Sequence, residues 1–292
     1  MNSKLLQKIS RAERERLAAL QGALDGQIDP ASRRAAAEGS SSQSPLSGSA
    51  RGGRSVRNAA VSPSGNEEVQ RSAEAYNQKQ GLKPPTSNTY AALDLGQAKQ
   101  MADAYEALEH NPSDPKVQRA YQALVKEVKA QWDHATASGY VMEPWKSEGQ
   151  PYYSSKEMMD DVRQNHHLWF FTGGDMPSDH PLAAQDRDTG LTYNDKFRAV
   201  HDLYGHAKGG YEFGPRGEHN AWLGHRQMFS DEAADALTSE TAGQNNFVNT
   251  GKHLRDANGN IPKKGEPGYI HPSERPYADQ KAGLIDRKYW PS

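Results

Sequence analysis

The sequence predicts a mainly α-helical body, irregular in its connections and with few short strands, preceded by a disordered N-terminal linker. Three observations lead there. Apolar residues recur at helical spacing in several stretches between positions 97 and 243, whereas only "GYVMEPW" and "HHLWFF" read as extended. Apolar residues make up 35% of the 292-residue chain, against about 45–50% in a typical globular protein, so part of the chain is expected to stay out of any core. The shortfall is concentrated early: positions 29–66 are rich in Ser, Gly, Ala and Arg and contain no aromatic residue, too little apolar surface to repay the cost of ordering.

Three regions follow from this. Residues 1–27 read as an isolated amphipathic helix, with Leu5, Leu6, Ile9, Leu17, Leu20 and Leu24 at roughly helical spacing. One such helix cannot bury its stripe alone, so it is expected to dock on a partner, such as a phage assembly component, on another copy of the chain, or on nothing. Residues 28–87 are assigned to the disordered linker and 88–292 to a helical globular domain. Within that domain a helix is expected over 97–110, ended by "NPSDP". The clearest helix covers 115–138, where Val117, Tyr121, Leu124, Val125, Val128 and Trp132 form one stripe. A helix over 154–165 begins on a Ser cap, 172–192 is loop, and a helix runs from Asn194, its cap, through His206. After a Gly-rich break, helices are expected over 218–229 and from Ser230 to Gly243, and a short one near 277–285.

Composition excludes several chemistries. There are no cysteines, hence no disulfides, thiolate metal sites or cysteine nucleophiles. No apolar run approaches the ~20 residues of a membrane span, and the N-terminus lacks the apolar core of a signal peptide. The net charge of −2 gives no global attraction to nucleic acid or membrane. Residues 1–60 carry ten Lys/Arg against five Asp/Glu, so contact with nucleic acid is expected to be at most a weak one through the five arginines of 29–66.

The chemistry-bearing residues gather in one place. All eleven histidines lie between 110 and 271, and four of them within 201–225. In "FRAVHDLYGHAKGG", His201 and His206 are five residues apart, so on an ideal helix their directions differ by about 140°. Gly205 and the glycines after His206 allow the helix to end there and His206 to turn back toward His201. Asp202 or a backbone carbonyl could fix a ligand tautomer. Glu218 and His225 are seven apart, two turns on one face, and Glu240 lies late on the next helix. Ligand-type residues brought by several helices are how helical proteins build metal centres, and two His with one carboxylate form the triad of non-haem Fe(II) enzymes. Glu240 or Glu218 completes the set.

"VHDLYGH" resembles the His-Glu/Asp-x-x-Gly-His motif of the pterin-dependent aromatic amino acid hydroxylases. The order of elements after it is also similar, including a Phe-bearing loop at Phe213. The resemblance covers about 45 residues. It implies His201, His206 and Glu240 as iron ligands, with Asp202 matching the acidic residue after the first histidine. Asp202, Glu218 and His225 are then the candidate catalytic or orienting groups. The gap from His206 to Glu240 is shorter than in that family, and no pterin-binding segment is recognisable, so neither pterin nor an aromatic amino acid substrate follows. "NDKFRAVHDLYGHA", "FGPRGEHNAW" and "TSETAGQNNFVN" also resemble gene products of tailed bacteriophages with no assigned activity, over most of 97–250.

Two readings result. One is a phage-encoded metal-binding domain of hydroxylase type holding Fe(II), with Zn as the alternative ion. The other is a virion-associated structural protein, its histidines forming a polar network or a structural metal site without catalysis. Both place the chain in the host cytoplasm or the virion.

Overall fold

In the computed structural model, which describes residues 65–86, 90–147 and 149–290, the body begins with a helix inside the stretch expected to be linker. Helix α1 spans Glu67–Gln80. The Asn66 carboxamide accepts from the backbone N–H of Glu68 and Val69, and Gly81 ends the helix at φ 70°. Val69, Ala73 and Tyr76, at i, i+4 and i+7, are fully buried. Within the expected linker of 28–87, residues 66–81 are therefore folded, and the body reaches back to Asn66. The expected helix within 1–27 and the stretch 28–64 lie outside the described residues.

Helix α2 (Leu95–Glu106) starts on an Asp94 cap and buries Ala98, Met101, Ala102 and Tyr105. Helix α3 (Pro115–Ala137) is the longest of the described residues' helices. Asp114 caps it, Pro115 occupies the first turn where its missing N–H costs nothing, and of the expected stripe Val117, Tyr121, Leu124, Val128 and Trp132 are buried while Val125 is only partly so. It is the central element, packed against α1, the helices over Tyr193–His201 and Asp231–Thr238, and the short 3-10 turn Pro181–Ala183. Strands β1 (Val141–Trp145) and β2 (His167–Phe171) pair in parallel, Val141 opposite His167 and Trp145 opposite Phe171. Parallel neighbours need a crossover, and α4 (Ser155–Asn165) supplies it. The loop that follows is pinned by Asp186, whose carboxylate meets the fully buried Lys196 ammonium beside the Trp132 ring.

Helix α5 (Tyr193–His201) is capped by Thr192, in a reciprocal capping box with Asp195, and not by Asn194. It does not stop at His206. It passes into a π turn over Asp202–Ala207. Helix α6 (Pro215–Arg226) then packs against that turn. Helix α7 (Asp231–Thr238) starts on the expected Ser230 cap, widens into a second π turn at Ser239–Gly243 and continues as α8 (Gln244–Thr250). The helix expected near 277–285 does not form. The backbone there is committed elsewhere: the Ala282 N–H donates to His110 Nδ1, its carbonyl accepts from Asn111, and the Ile285 N–H donates to Ser239 Oγ. The body is mainly helical with one small sheet, and no helix among the described residues is long and apolar enough to cross a membrane.

Candidate metal centre

The π turn answers the geometric objection to the histidine pair. A π turn closes i→i+5 hydrogen bonds, so residues five apart come round to the same side, as residues four apart do in an α-helix. His201 stands just before this turn and His206 within it, and their rings meet edge to face with centroids 5.2 Å apart. Gly205 makes room for them: a Cβ there would lie 3.1 Å from His201 Cε1 and Nδ1. Phe197 and Phe213 flank the pair, the Phe213 ring 5.0 Å from that of His206.

Glu218 completes the cluster from the first turn of α6. Its Oε2 lies 3.7 Å from His201 Nε2 and 3.4 Å from His206 Nε2, and the three ligand atoms fall within 4.8 Å of one another. Atoms sharing an ion at bonds of ~2.0–2.2 Å stand about 3 Å apart at a right angle and about 3.4 Å apart at a tetrahedral angle. The Glu218 distances sit at and slightly beyond the tetrahedral value, so the three residues could hold one ion after a small closing movement. Gly217 permits the approach, since a Cβ at that position would fall 1.9 Å from the carbonyl oxygen of Glu212. The chain before α6 can therefore fold tightly against its first turn and carry the Tyr211 carbonyl back to His206.

Both imidazoles are held from behind. His206 Nδ1 lies 3.0 Å from the Tyr211 carbonyl oxygen, which only accepts, so Nδ1 carries the proton and Nε2 is the atom turned to Glu218. His201 Nδ1 lies 3.1 Å from Nδ1 of the fully buried His225. Burial lowers the pKa of His225 well below 6.5, and the neighbouring His201 and Lys208 charges lower it further. Burial also pulls His206 down, but the Glu218 carboxylate outweighs it and holds the ring up at about 9. Glu218 itself is held well below the usual carboxylate range: burial opposes this, and the two imidazoles overcome it. The side chain of His206 is 1% exposed, that of His201 11% and that of Glu218 26%, so the cluster is reached from the Glu218 side.

Of the residues singled out from sequence, His201, His206, Glu218 and His225 come together. Glu240 is placed in a different cluster. Its carboxylate accepts from the Tyr121 hydroxyl and from Gln244, and one oxygen lies 3.2 Å from Nε2 of the buried His180. The second π turn directs it to α3 and the 172–192 loop, and the His201, His206, Glu218 group does not include it. Asp202 adds negative potential near His206, but the bonds that orient the imidazoles come from His225 and the Tyr211 carbonyl. Sequence reasoning passed over Gln131, whose Oε1 lies 2.8 Å from His225 Nε2. A signal existed: Gln131 is a polar residue within the stripe of α3 that buries Leu124, Val128 and Ala135. Comparison of the chain with protein-family models, with curated proteins and with solved structures gives no match.

Proposed function

We propose that His201, His206 and Glu218 bind one divalent transition metal, ferrous iron with zinc as the alternative, in a phage-encoded domain of oxygenase or hydroxylase type. The observation that carries this reading is the convergence of two imidazole Nε2 atoms and one carboxylate oxygen within 4.8 Å, each imidazole anchored through its other nitrogen. Glu218 takes the ligand position for which Glu240 was the first sequence candidate. Bound ferrous iron with these three ligands keeps open positions for O2 and a substrate. The residues of the chain supply the rest. The aromatic flank of Phe197 and Phe213 excludes water on one side, and the partly exposed Glu218 marks the side of approach.

A second reading is supported by the same geometry. The three ligands join α5, through its π turn, to α6, so a metal there would also brace the fold. In that case the protein is a virion-associated structural component, with residues 1–27 as its contact to an assembly partner and no catalysis. Both readings place it in the host cytoplasm or the virion.

The test is elemental analysis of the purified full chain beside His201→Ala. Stoichiometric iron in the wild type, lost in the variant, together with O2 consumption by the iron form, supports the hydroxylase-type reading. Stoichiometric zinc, with a lowered melting temperature in chelator, supports the structural one. A chain that takes up neither ion when supplied overturns the metal site and with it the hydroxylase-type reading, and leaves the histidines as a polar network of a structural protein.

A further inference from the structure

Gln131 reaches the candidate centre only through two histidines, and the chain of contacts is directional. Its Nε2 lies 3.0 Å from the Met228 carbonyl oxygen. A carbonyl only accepts, so the amide NH2 must face Met228 and the amide oxygen must face His225. That oxygen, 2.8 Å from His225 Nε2, requires a proton on Nε2. His225 is fully buried and has an amide oxygen on one side and an imidazole nitrogen on the other, so it is neutral and its Nδ1 is bare. The 3.1 Å contact between the two Nδ1 atoms then needs its one proton from His201. With Nδ1 committed to that contact, Nε2 is the nitrogen that His201 turns to Glu218 and can offer to a metal.

We infer that Gln131 is a positioning residue that, through His225, sets the tautomer of His201 and so determines which of its nitrogens is offered to a metal. The inference rests on the metal reading for its consequence, but the tautomers themselves do not. Metal-ligating histidines are commonly oriented by an acceptor on the far nitrogen, and loss of that partner typically weakens metal binding about 10–100-fold. Here the acceptor is itself a histidine, which fixes nothing until Gln131 fixes it.

Two measurements on the full chain test this. Long-range proton–nitrogen NMR of the metal-free wild type should report a protonated Nε2 on His225 and a protonated Nδ1 on His201. The same spectrum of Gln131→Met should show His225 populating both tautomers, and Gln131→Glu, which keeps an acceptor, should restore the wild-type pattern. Cobalt(II) titration should show affinity reduced about 10–100-fold in Gln131→Met and recovered in Gln131→Glu. Circular dichroism melts of the metal-free proteins confirm that the variants are folded. A wild-type His201 without a proton on Nδ1 overturns the inference, as does a Gln131→Met chain with wild-type tautomers. Wild-type tautomers as stated in a chain that binds no cobalt would overturn the metal reading and leave the tautomer assignment standing.

Discussion

His206 Nε2 lies 3.4 Å from Glu218 Oε2, although the two side chains come from separate helices and the residues are twelve apart in sequence. Glu240, the carboxylate favoured by motif order, meets Tyr121 and His180 instead. The two carboxylates should therefore separate cleanly. Glu218→Gln should weaken zinc or cobalt binding by at least 100-fold, and it also removes from the metal-free fold the stability that its charge shares with His206. Glu240→Gln should keep the metal affinity within about threefold and destabilise the fold by about 1–3 kcal/mol, because a buried acceptor is replaced by a group that also brings donors. Competition titration and denaturant unfolding of both variants check this.

Metal uptake should depend on pH, with a definite sign. In the metal-free chain His206 is held at about 9, raised from an ordinary 6.5 by Glu218 against the pull of burial. A metal must displace that proton, so between about pH 6.5 and 9 each unit of acidification should cost up to tenfold in affinity, with about one proton released per ion bound. The stability of the metal-free chain runs the other way. The raised His206 contributes fully below 6.5 and loses its contribution as the pH climbs through about 9. The lowered Glu218 contributes above its ordinary 4.5 and loses its contribution in acid. Their joint contribution is greatest between about 4.5 and 6.5. Calorimetry in buffers of different ionisation enthalpy counts the proton, and melts across pH locate the window.

Gly205→Ala should trade affinity for helix propensity. Alanine gains about 1 kcal/mol over glycine within a helix, while the new Cβ, 3.1 Å from the His201 ring, forces that ring aside by a few tenths of an ångström. Net folding stability should move by less than about 1 kcal/mol, and cobalt affinity should fall about tenfold. An unchanged affinity would remove Gly205 from the account of the site.

A chain beginning at residue 88 should not fold stably. It lacks α1 and with it the buried Val69, Ala73 and Tyr76, the Asn77 amide bonded to the Gln227 carbonyl, and the Gln70 amide bonded to the Lys208 carbonyl near the π turn. Losing a large buried aromatic side chain alone costs about 3–5 kcal/mol, a large share of the 5–15 kcal/mol of a typical fold. A chain beginning at residue 65 should melt as a cooperative unit, and thermal denaturation of the two compares them directly.

The same helix shows where the sequence was hard to read. The stripe of α3 was legible because Val117, Tyr121, Leu124, Val128 and Trp132 are large, apolar and evenly spaced over a long segment. Helix α1 presents only Val69, Ala73 and Tyr76 among polar neighbours, so its burial depends on partners far along the chain. Near 277–285 the local pattern suggested a helix, but tertiary hydrogen bonds to His110, Asn111 and Ser239 claim the backbone. At the candidate centre, residue types disclosed His201, His206 and Glu218 as candidates. Choosing between Glu218 and Glu240 required the course of two π turns, which no local spacing encodes.

The π turn at Asp202–Ala207 is equivalent to one residue slipped into an α-helix whose two ends keep their packing. Remove that residue, and the histidines become an ordinary i,i+4 pair of the kind long familiar on metal-binding helices, with everything downstream rotated by about 100°. The wider turn thus brings the histidines together and leaves the downstream packing where it is. Related centres elsewhere would be concealed in the same way, as pairs that look one residue out of phase until the backbone between them is seen to be wider than α.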